Sequence, residues 1–375
     1  MASPAEPIAK HWAPPVLSDE LLEEIFLRLP TPAALARVST ACASFRRIVA
    51  DRSFLRRFRA IHPPPLLGFV NDYGFHPAEP PHTSAPLARA LADAADFSYS
   101  FVLPLPYGVC GPRWRLRDVR DGRVLLECSK FSGEGADIST NLAVCDPVSR
   151  RYVLLPCIPE DLTTQQGRPL EFVPFLAPTG DDEEETSFKV MCMAQYKSKL
   201  VVFVFSSIAR EWCIAASPSW SSLGMAAPSH RAGFSYFDYV HGCFYWAAHW
   251  VNKLLVLDWR RMEFSTVDTP PDYQMWCMGA PHIVDKIIPL TGRYVFKPAG
   301  STEGLLFIEG ARIDDEDDNP VYIGPLPENW DIDYFSLDVK TSELKKVCKT
   351  TLYPNEASHV YPYFVFPPSL SLPSL

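Results

Sequence analysis

The side chains best suited to covalent or metal chemistry are the ten cysteines, at positions 42, 110, 128, 145, 157, 192, 213, 243, 277 and 348. A thiolate binds zinc or attacks an electrophile only where neighbours lower its pKa, and metal sites bring such residues together at short spacings. No two of these cysteines form a CxxC pair, and several lie inside apolar runs, where a reduced Cys serves as a small core residue. That usage predicts a reducing compartment, the cytosol and/or the nucleus. His241 and His249 flank the run Tyr245-Trp246, but eight residues apart and without an acid or Cys in register they are expected to be core or surface histidines. There is no GxSxG, HExxH or GxxxxGK[ST], and Gly133-Glu134-Gly135 is an isolated GxG expected in a loop. The acidic runs Asp181-Asp182-Glu183-Glu184-Glu185 and Asp314-Asp315-Glu316-Asp317-Asp318 are expected as solvated loops; the second lacks the Gly and distal Glu of a calcium loop. The expectation is therefore a non-catalytic chain with no catalytic residues, no metal and no cofactor.

The elements that would position a binding surface repeat along the chain. Asp146, Asp258 and Asp338 each follow an apolar run and each stand six residues before Tyr152, Phe264 and Leu344; Ser206 stands likewise six before Trp212. Such spacing fits a hairpin in which the Asp or Ser side chain accepts turn amides and the aromatic or Leu begins the returning strand. Upstream of three copies a glycine opens another apolar strand, at Gly122, Gly242 and Gly304. A gapped unit of about 50 residues with several strands is the pattern of a propeller blade in kelch-like arrays. Four blades are visible, and strands near Leu66, Phe97 and Val360 to Phe366 would supply one or two more and close the ring, giving five or six. A β-sandwich is the structural competitor. Trp212 and Trp246 fall within strand patterns and should pack between blades, whereas Trp250, Trp276 and Trp330 fall in loops or at strand ends, where a target-binding face would be built.

Ahead of the strands, residues 17 to 62 read as short helices. Ser18 is placed as an N-cap, with Leu21, Leu22, Ile25, Phe26 and Leu29 at helical spacing until Pro30. Thr31 and Pro32 start a second helix carrying Leu35 and Val38, Phe45 and Ile48 mark a third, and Ser53 is placed as cap of a fourth with Phe54, Leu55, Phe58 and Ile61. A unit this short buries too little of its own apolar surface to stand alone comfortably. Either a partner or the rest of the chain must cover it.

Composition narrows the partners. Between Leu17 and His62 eight arginines face five acids, and with a formal net charge of −9 for the chain the strand-rich remainder carries −12. So acidic a body disfavours nucleic-acid binding. No apolar run reaches membrane length, and the first fifteen residues lack the apolar core of a secretory signal. Thirty-seven prolines argue against long helices beyond the opening unit. By position the expected organisation is a flexible 1–15, a helical module at 16–62, a Pro-rich linker and first strand region at 63–96, and the β domain at 97–375.

Leu17 with Asp19-Glu20-Leu21, then Ile25-Phe26, Leu29-Pro30, Leu35, Val38-Ser39, Cys42, Phe45 and Arg46, resembles an F-box, the helical motif that docks on the Skp-type adaptor of cullin ubiquitin ligases. The family usually has Pro where Ser18 stands and Trp where Phe45 stands. Pro63 to Phe69, Gly122 to Leu126, Asp146-Pro147, Phe205-Ser206-Ser207 with Trp212, and Tyr245-Trp246 with Leu257-Asp258 resemble the propeller-like associated domain of a large grass F-box family. The resemblance implies an α+β multidomain chain, an all-α F-box module followed by an all-β propeller. It implies a substrate receptor of an SCF-type E3 ligase, with Leu17, Leu22, Ile25, Leu29, Pro30, Leu35, Val38, Cys42 and Phe45 contacting the adaptor, through it a cullin, and a target protein on the β domain. The alternatives are a ligand-binding or enzymatic propeller whose helices are only a structural cap, and an F-box scaffold that never turns over a target.

Overall fold

In the computed structural model of the chain, the described residues are 17–30, 32–62, 64–102, 114–128, 141–163, 167–178, 187–228, 234–248, 250–269, 293–302, 304–313, 330–352 and 359–364. The chain divides into two compact units, Met1–Pro64 and Pro65–Leu375. The division falls between Pro64 and Pro65, at the start of the Pro-rich region expected over 63–96.

The first unit holds helices α1 (Asp19–Leu27), α2 (Pro32–Ser39), α3 (Ala43–Ala50) and α4 (Arg52–Ile61). Ser18 occupies the N-cap of α1, though its backbone carbonyl rather than its side chain takes the Leu22 amide, at 3.1 Å. Cys42 caps α3, its sulfur accepting the Phe45 amide at 3.5 Å. The cap of α4 is Asp51, one turn-start earlier than the Ser53 expected from the sequence: its Oδ1 accepts the amides of Ser53 (2.9 Å) and Phe54 (3.1 Å), and a carboxylate there also favours the positive end of the helix. Leu22, Phe26, Leu27, Leu35, Ile48, Phe54 and Phe58 form the unit's core. Its surface pairs tie α1 to α3 and α4 through Arg47–Asp19 at 2.6 Å and Arg57–Glu23 at 3.1 Å.

The second unit is a five-bladed β-propeller. Strands β1 (Leu66–Asn71) and β2 (Gly74–Pro77) are followed by helix α5 (Ala85–Ala94). Then come β3 (Arg115–Arg120), β4 (Arg123–Cys128), β5 (Asn141–Asp146) and β6 (Arg151–Leu154), which form one antiparallel sheet. After a single helical turn α6 (Glu160–Thr163), β7 (Glu171–Leu176), β8 (Lys189–Gln195), β9 (Leu200–Ser206) and β10 (Glu211–Ala216) form the next. The third sheet is β11 (Ser235–Val240), β12 (Cys243–Ala248), β13 (Lys253–Asp258) and β14 (Glu263–Asp268), and the fourth is β15 (Arg293–Thr302), β16 (Leu305–Ile313), β17 (Trp330–Asp338) and β18 (Leu344–Leu352). The last strand, β19 (Tyr361–Phe364), pairs with β1, so the fifth blade is three-stranded and joins the two ends of the domain. Of the region 63–96, β1 and β2 thus belong to a blade and Ala85–Ala94 is helix α5.

Each repeated Asp does what its spacing implies. Asp146 Oδ1 accepts the Val148 and Ser149 amides, Asp258 Oδ1 those of Arg260 and Arg261, and Asp338 Oδ1 those of Lys340 and Thr341, at 2.9 to 3.3 Å. Ser206 Oγ receives the Ala209 amide at 3.3 Å. Four residues past each of these comes a left-handed residue, Arg150, Arg210, Met262 and Ser342, at φ of 55 to 58°. The residue six positions on then opens the partner strand, as in Tyr152 against Cys145 and Trp212 against Phe205. One expected strand is absent: residues 97–102 are turns. Asp96 accepts the Ser98 amide (2.9 Å) and the hydroxyls of Ser98 and Ser100, and Tyr99 sits at φ 57°, so local side-chain bonding overrides the alternating pattern.

Candidate functional site

Two surfaces deserve separate description, one in each unit. On the helical unit, the nine positions singled out from the sequence divide by exposure. Leu17 and Ile25 are 45% and 48% exposed, and Pro30 and Cys42 lie at the surface; Leu29, Val38 and Phe45 are half-buried. Leu22 and Leu35 are buried in the unit's own core, so they hold the helices together instead of meeting a partner directly. Phe45 packs edge-on against Phe26 at 5.1 Å between ring centroids. Leu21, 54% exposed, was not singled out, although it stands one turn before Ile25 and four residues after Leu17. Leu21 and Ile25 stand one turn apart on α1 with Leu17 exposed just ahead of the helix, and together they make an apolar stripe; Ile61 on α4 is 56% exposed.

In the propeller, β3, β7, β11, β15 and β19 are the innermost strands; β3 neighbours β7 and β19, and β15 neighbours β11 and β19. Polar side chains gather there. Asp118 Oδ1 accepts the Val119 amide and Oδ2 the Leu176 amide, both at 2.8 Å. Asp238 Oδ1 accepts the Tyr239 amide at 2.8 Å and the Ser301 amide at 3.2 Å, and Oδ2 takes the Ser301 hydroxyl at 2.5 Å. Between them Arg120 donates from Nε to the Leu176 carbonyl at 3.1 Å and lays its guanidinium over Tyr239, 4.7 Å from the ring centroid, and Phe244, at 5.3 Å. Burial pushes the Asp118 carboxyl above the usual range against the pull of Arg120, and burial does the same to Asp238 against its hydrogen bonds. A β-bulge just ahead of Asp118, at Leu116/Asp118, and one at Ser235/Phe237 aim these side chains sideways. The acids are spent on backbone amides of neighbouring strands, a cementing role. Their shared signal in the sequence is an Asp four residues before the blade glycine, Asp118 before Gly122 and Asp238 before Gly242, which the repeat pattern contained one step upstream of where it was read.

The tryptophans fall out unevenly. Trp212 and Trp246 are buried, as their strand positions require: Trp212 Nε1 donates to the Pro156 carbonyl of the preceding blade at 2.8 Å, and Trp246 packs 5.5 Å from Phe175. Trp250 is packed too, edge-on to Phe234 at 5.1 Å and Trp220 at 6.1 Å, with Nε1 donating to the Ala226 carbonyl at 3.2 Å. It remains partly exposed. Trp330 opens β17, and Trp276 lies outside the described residues, as do both acidic runs and His249. Cys128, Cys145, Cys192 and Cys348 are buried free thiols. Burial raises the pKa of each, the opposite of an activated nucleophile. Among the described residues no group of three or more His, Cys, Asp or Glu side chains is placed to share a metal ion, and no helix is long and apolar enough to cross a membrane.

The geometry defines a class: a five-bladed β-propeller following a four-helix unit with an exposed apolar stripe. No protein-family model matches the chain, and no curated protein matches it. Solved structures that align with it include one titled as a nidogen/laminin complex, at 10% identity over 66% of this chain and 83% of that one, TM-score 0.29. Others are a protein from Lactobacillus plantarum, at 9% identity over 68% and 90%, TM-score 0.29, and a luciferin-regenerating enzyme, at 9% over 64% and 61%, TM-score 0.23. Alignments this loose carry no argument about what the chain does.

Proposed function

We propose that the chain is a non-catalytic substrate receptor of a cullin-RING, SCF-type ubiquitin ligase. The helical unit docks on a Skp-type adaptor and through it a cullin, and the propeller holds the target protein, in the cytosol and/or nucleus. The observation that carries this reading is the apolar group made by Leu21 and Ile25 on α1 and Leu17 just ahead of it, three large aliphatic side chains left about half exposed on a unit too small to hide them. The F-box resemblance supplies the identity of the adaptor. Nothing in this role requires chemistry on the chain itself; holding a target beside a charged ubiquitin raises the effective concentration of its lysines. The rival, an enzymatic or small-ligand propeller capped by helices, draws no support from Asp118 and Asp238, whose oxygens are taken up by backbone amides and the Ser301 hydroxyl. Co-isolation of the full chain with a Skp-type adaptor, compared with a Leu21→Glu/Ile25→Glu variant, tests the proposal; adaptor binding that ignores the substitutions defeats it.

A further inference from the structure

Four of the five blade junctions share one device, a carboxylate on one blade accepting a backbone amide from the next. Asp72 takes the Leu116 amide at 2.8 Å between the fifth and first blades, and Asp118 takes that of Leu176 at 2.8 Å between the first and second. Glu171 takes the Phe234 amide at 3.2 Å between the second and third, and Asp238 takes the amide and hydroxyl of Ser301 between the third and fourth. Charge-assisted bonds of this kind are directional and strong, so a junction that carries one resists sliding apart.

At the junction between the fourth and fifth blades the position that carries the acid in the first and third blades is changed. Counting four residues back from Gly304, as Asp118 precedes Gly122 and Asp238 precedes Gly242, the corresponding position is Gly300, which has no side chain and sits at φ 131°. A Cβ there would lie 3.7 Å from Cδ of Pro362 on β19, a residue with no N–H to give. Acid and amide are therefore both replaced. Apolar packing joins the blades instead, Phe69 against Tyr334 at 4.8 Å and Phe307 at 5.8 Å, with one backbone bond from Glu79 N to the Val347 carbonyl at 2.7 Å. The same layer holds buried polar atoms with no hydrogen-bond partner among the described residues, the Tyr334 hydroxyl and His76 Nε2, their rings 6.4 Å apart. Opening would give both to water, which offsets part of the cost of parting these two blades; the clasped junctions hold such atoms too, the Tyr196 and Tyr99 hydroxyls among them, so the carboxylates are what set them apart.

We infer that the propeller ring opens at the seam between its fourth and fifth blades, the other four junctions being locked by carboxylates. The inference is independent of the adaptor reading. The protein carries its own probes: buried thiols report each layer, Cys348 in the fourth–fifth core, Cys145 in the fifth–first core and Cys192 in the first–second core. Thiol alkylation of the full chain at sub-denaturing urea, each rate normalised to that of the unfolded chain, should modify Cys348 at least about tenfold faster than Cys145 or Cys192, the scale of one charged hydrogen bond. Asp118→Ala should then bring Cys192 up toward the rate of Cys348 and leave Cys348 unchanged. Equal rates for the three thiols in the unmodified protein, or Cys145 or Cys192 reacting first, would overturn the inference whether or not the variant folds.

Discussion

The Tyr363 hydroxyl on the last strand donates to the Gly122 carbonyl, 241 residues earlier, at 3.1 Å. Two residues earlier on the same strand, Tyr361 does the same to the Arg117 carbonyl at 2.5 Å. The C-terminal strand therefore fastens the first blade while it completes the fifth, and the ring is closed by pairing the ends of the domain. Tyr363→Phe removes one donor and leaves a buried carbonyl unmet, so it should cost about 1 to 2 kcal/mol in urea unfolding with the slope unchanged. A stability equal to that of the unmodified protein would mean that this hydroxyl does not fasten the ring.

Asp146 is buried at the turn between β5 and β6 and accepts two amides and the Ser149 hydroxyl. Asp146→Ala should lose about 1 to 2 kcal/mol, because two turn amides and the Ser149 hydroxyl lose their acceptor. Asp146→Asn, which keeps one acceptor, should recover part of it; urea melts of the two variants provide the comparison.

The acids on the innermost strands set a pH dependence of opposite sign from the usual carboxylate. Burial holds the folded-state pKa of Asp118 and Asp238 above the unfolded value, so the folded chain binds more protons there than the unfolded one. Their contribution is then greatest below the unfolded pKa and is lost as pH rises through the folded one. Relative to Asp118→Asn, the unmodified protein should be favoured more at pH 3.5 than at pH 6.5, in roughly the window those carboxyls span. Asp96 behaves in the ordinary way: burial pushes its pKa up, but hydrogen bonds from Ser98 and Ser100 outweigh that and hold it low, so its stabilisation is present above the unfolded pKa and fades with acid. Urea melts at the two pH values decide both signs.

Much of the propeller was legible because its turns are built by local chemistry. Asp146, Asp258 and Asp338 bond amides two and three residues away, so their spacing to the returning strand survives in one sequence without any knowledge of the sheet. The fifth blade was less legible, since β1 and β19 meet only in three dimensions and Val360 to Phe366 carries no turn signal. The carboxylate clasps were missed for a similar reason: Asp118 and Leu176 lie 58 residues apart, and only the repeat of Asp four positions before a glycine hints at them. Residues 97–102 misled because alternating aromatic and Ser residues mimic a strand, while Asp96 has the short side chain that folds them into turns. On the helical unit the apolar period identified the helices, but period alone does not say which apolar residues are spare; Leu22 and Leu21 are adjacent in sequence and face opposite ways.

That division yields a stability prediction. Phe54 is fully buried, 6.5 Å from the Phe26 ring and 6.1 Å from that of Phe58. Phe54→Ala should cost about 3 to 5 kcal/mol, enough to unfold a helical unit of this size, whereas Leu21→Glu on the surface should change stability by no more than about 0.5 kcal/mol. Helical circular dichroism and thermal melting separate the two, and a large loss from Leu21→Glu would show that the stripe is structural.

The account turns on whether that stripe is a contact face for the adaptor. The direct measurement is the affinity of a purified Skp-type adaptor for the full chain and for its Leu21→Glu/Ile25→Glu variant, alongside circular dichroism to confirm an intact fold. The account predicts a stable one-to-one complex with the unmodified chain and a loss of about a hundredfold or more in the variant, the scale of two central apolar contacts. No complex with the unmodified chain, or equal affinity for both, would contradict it.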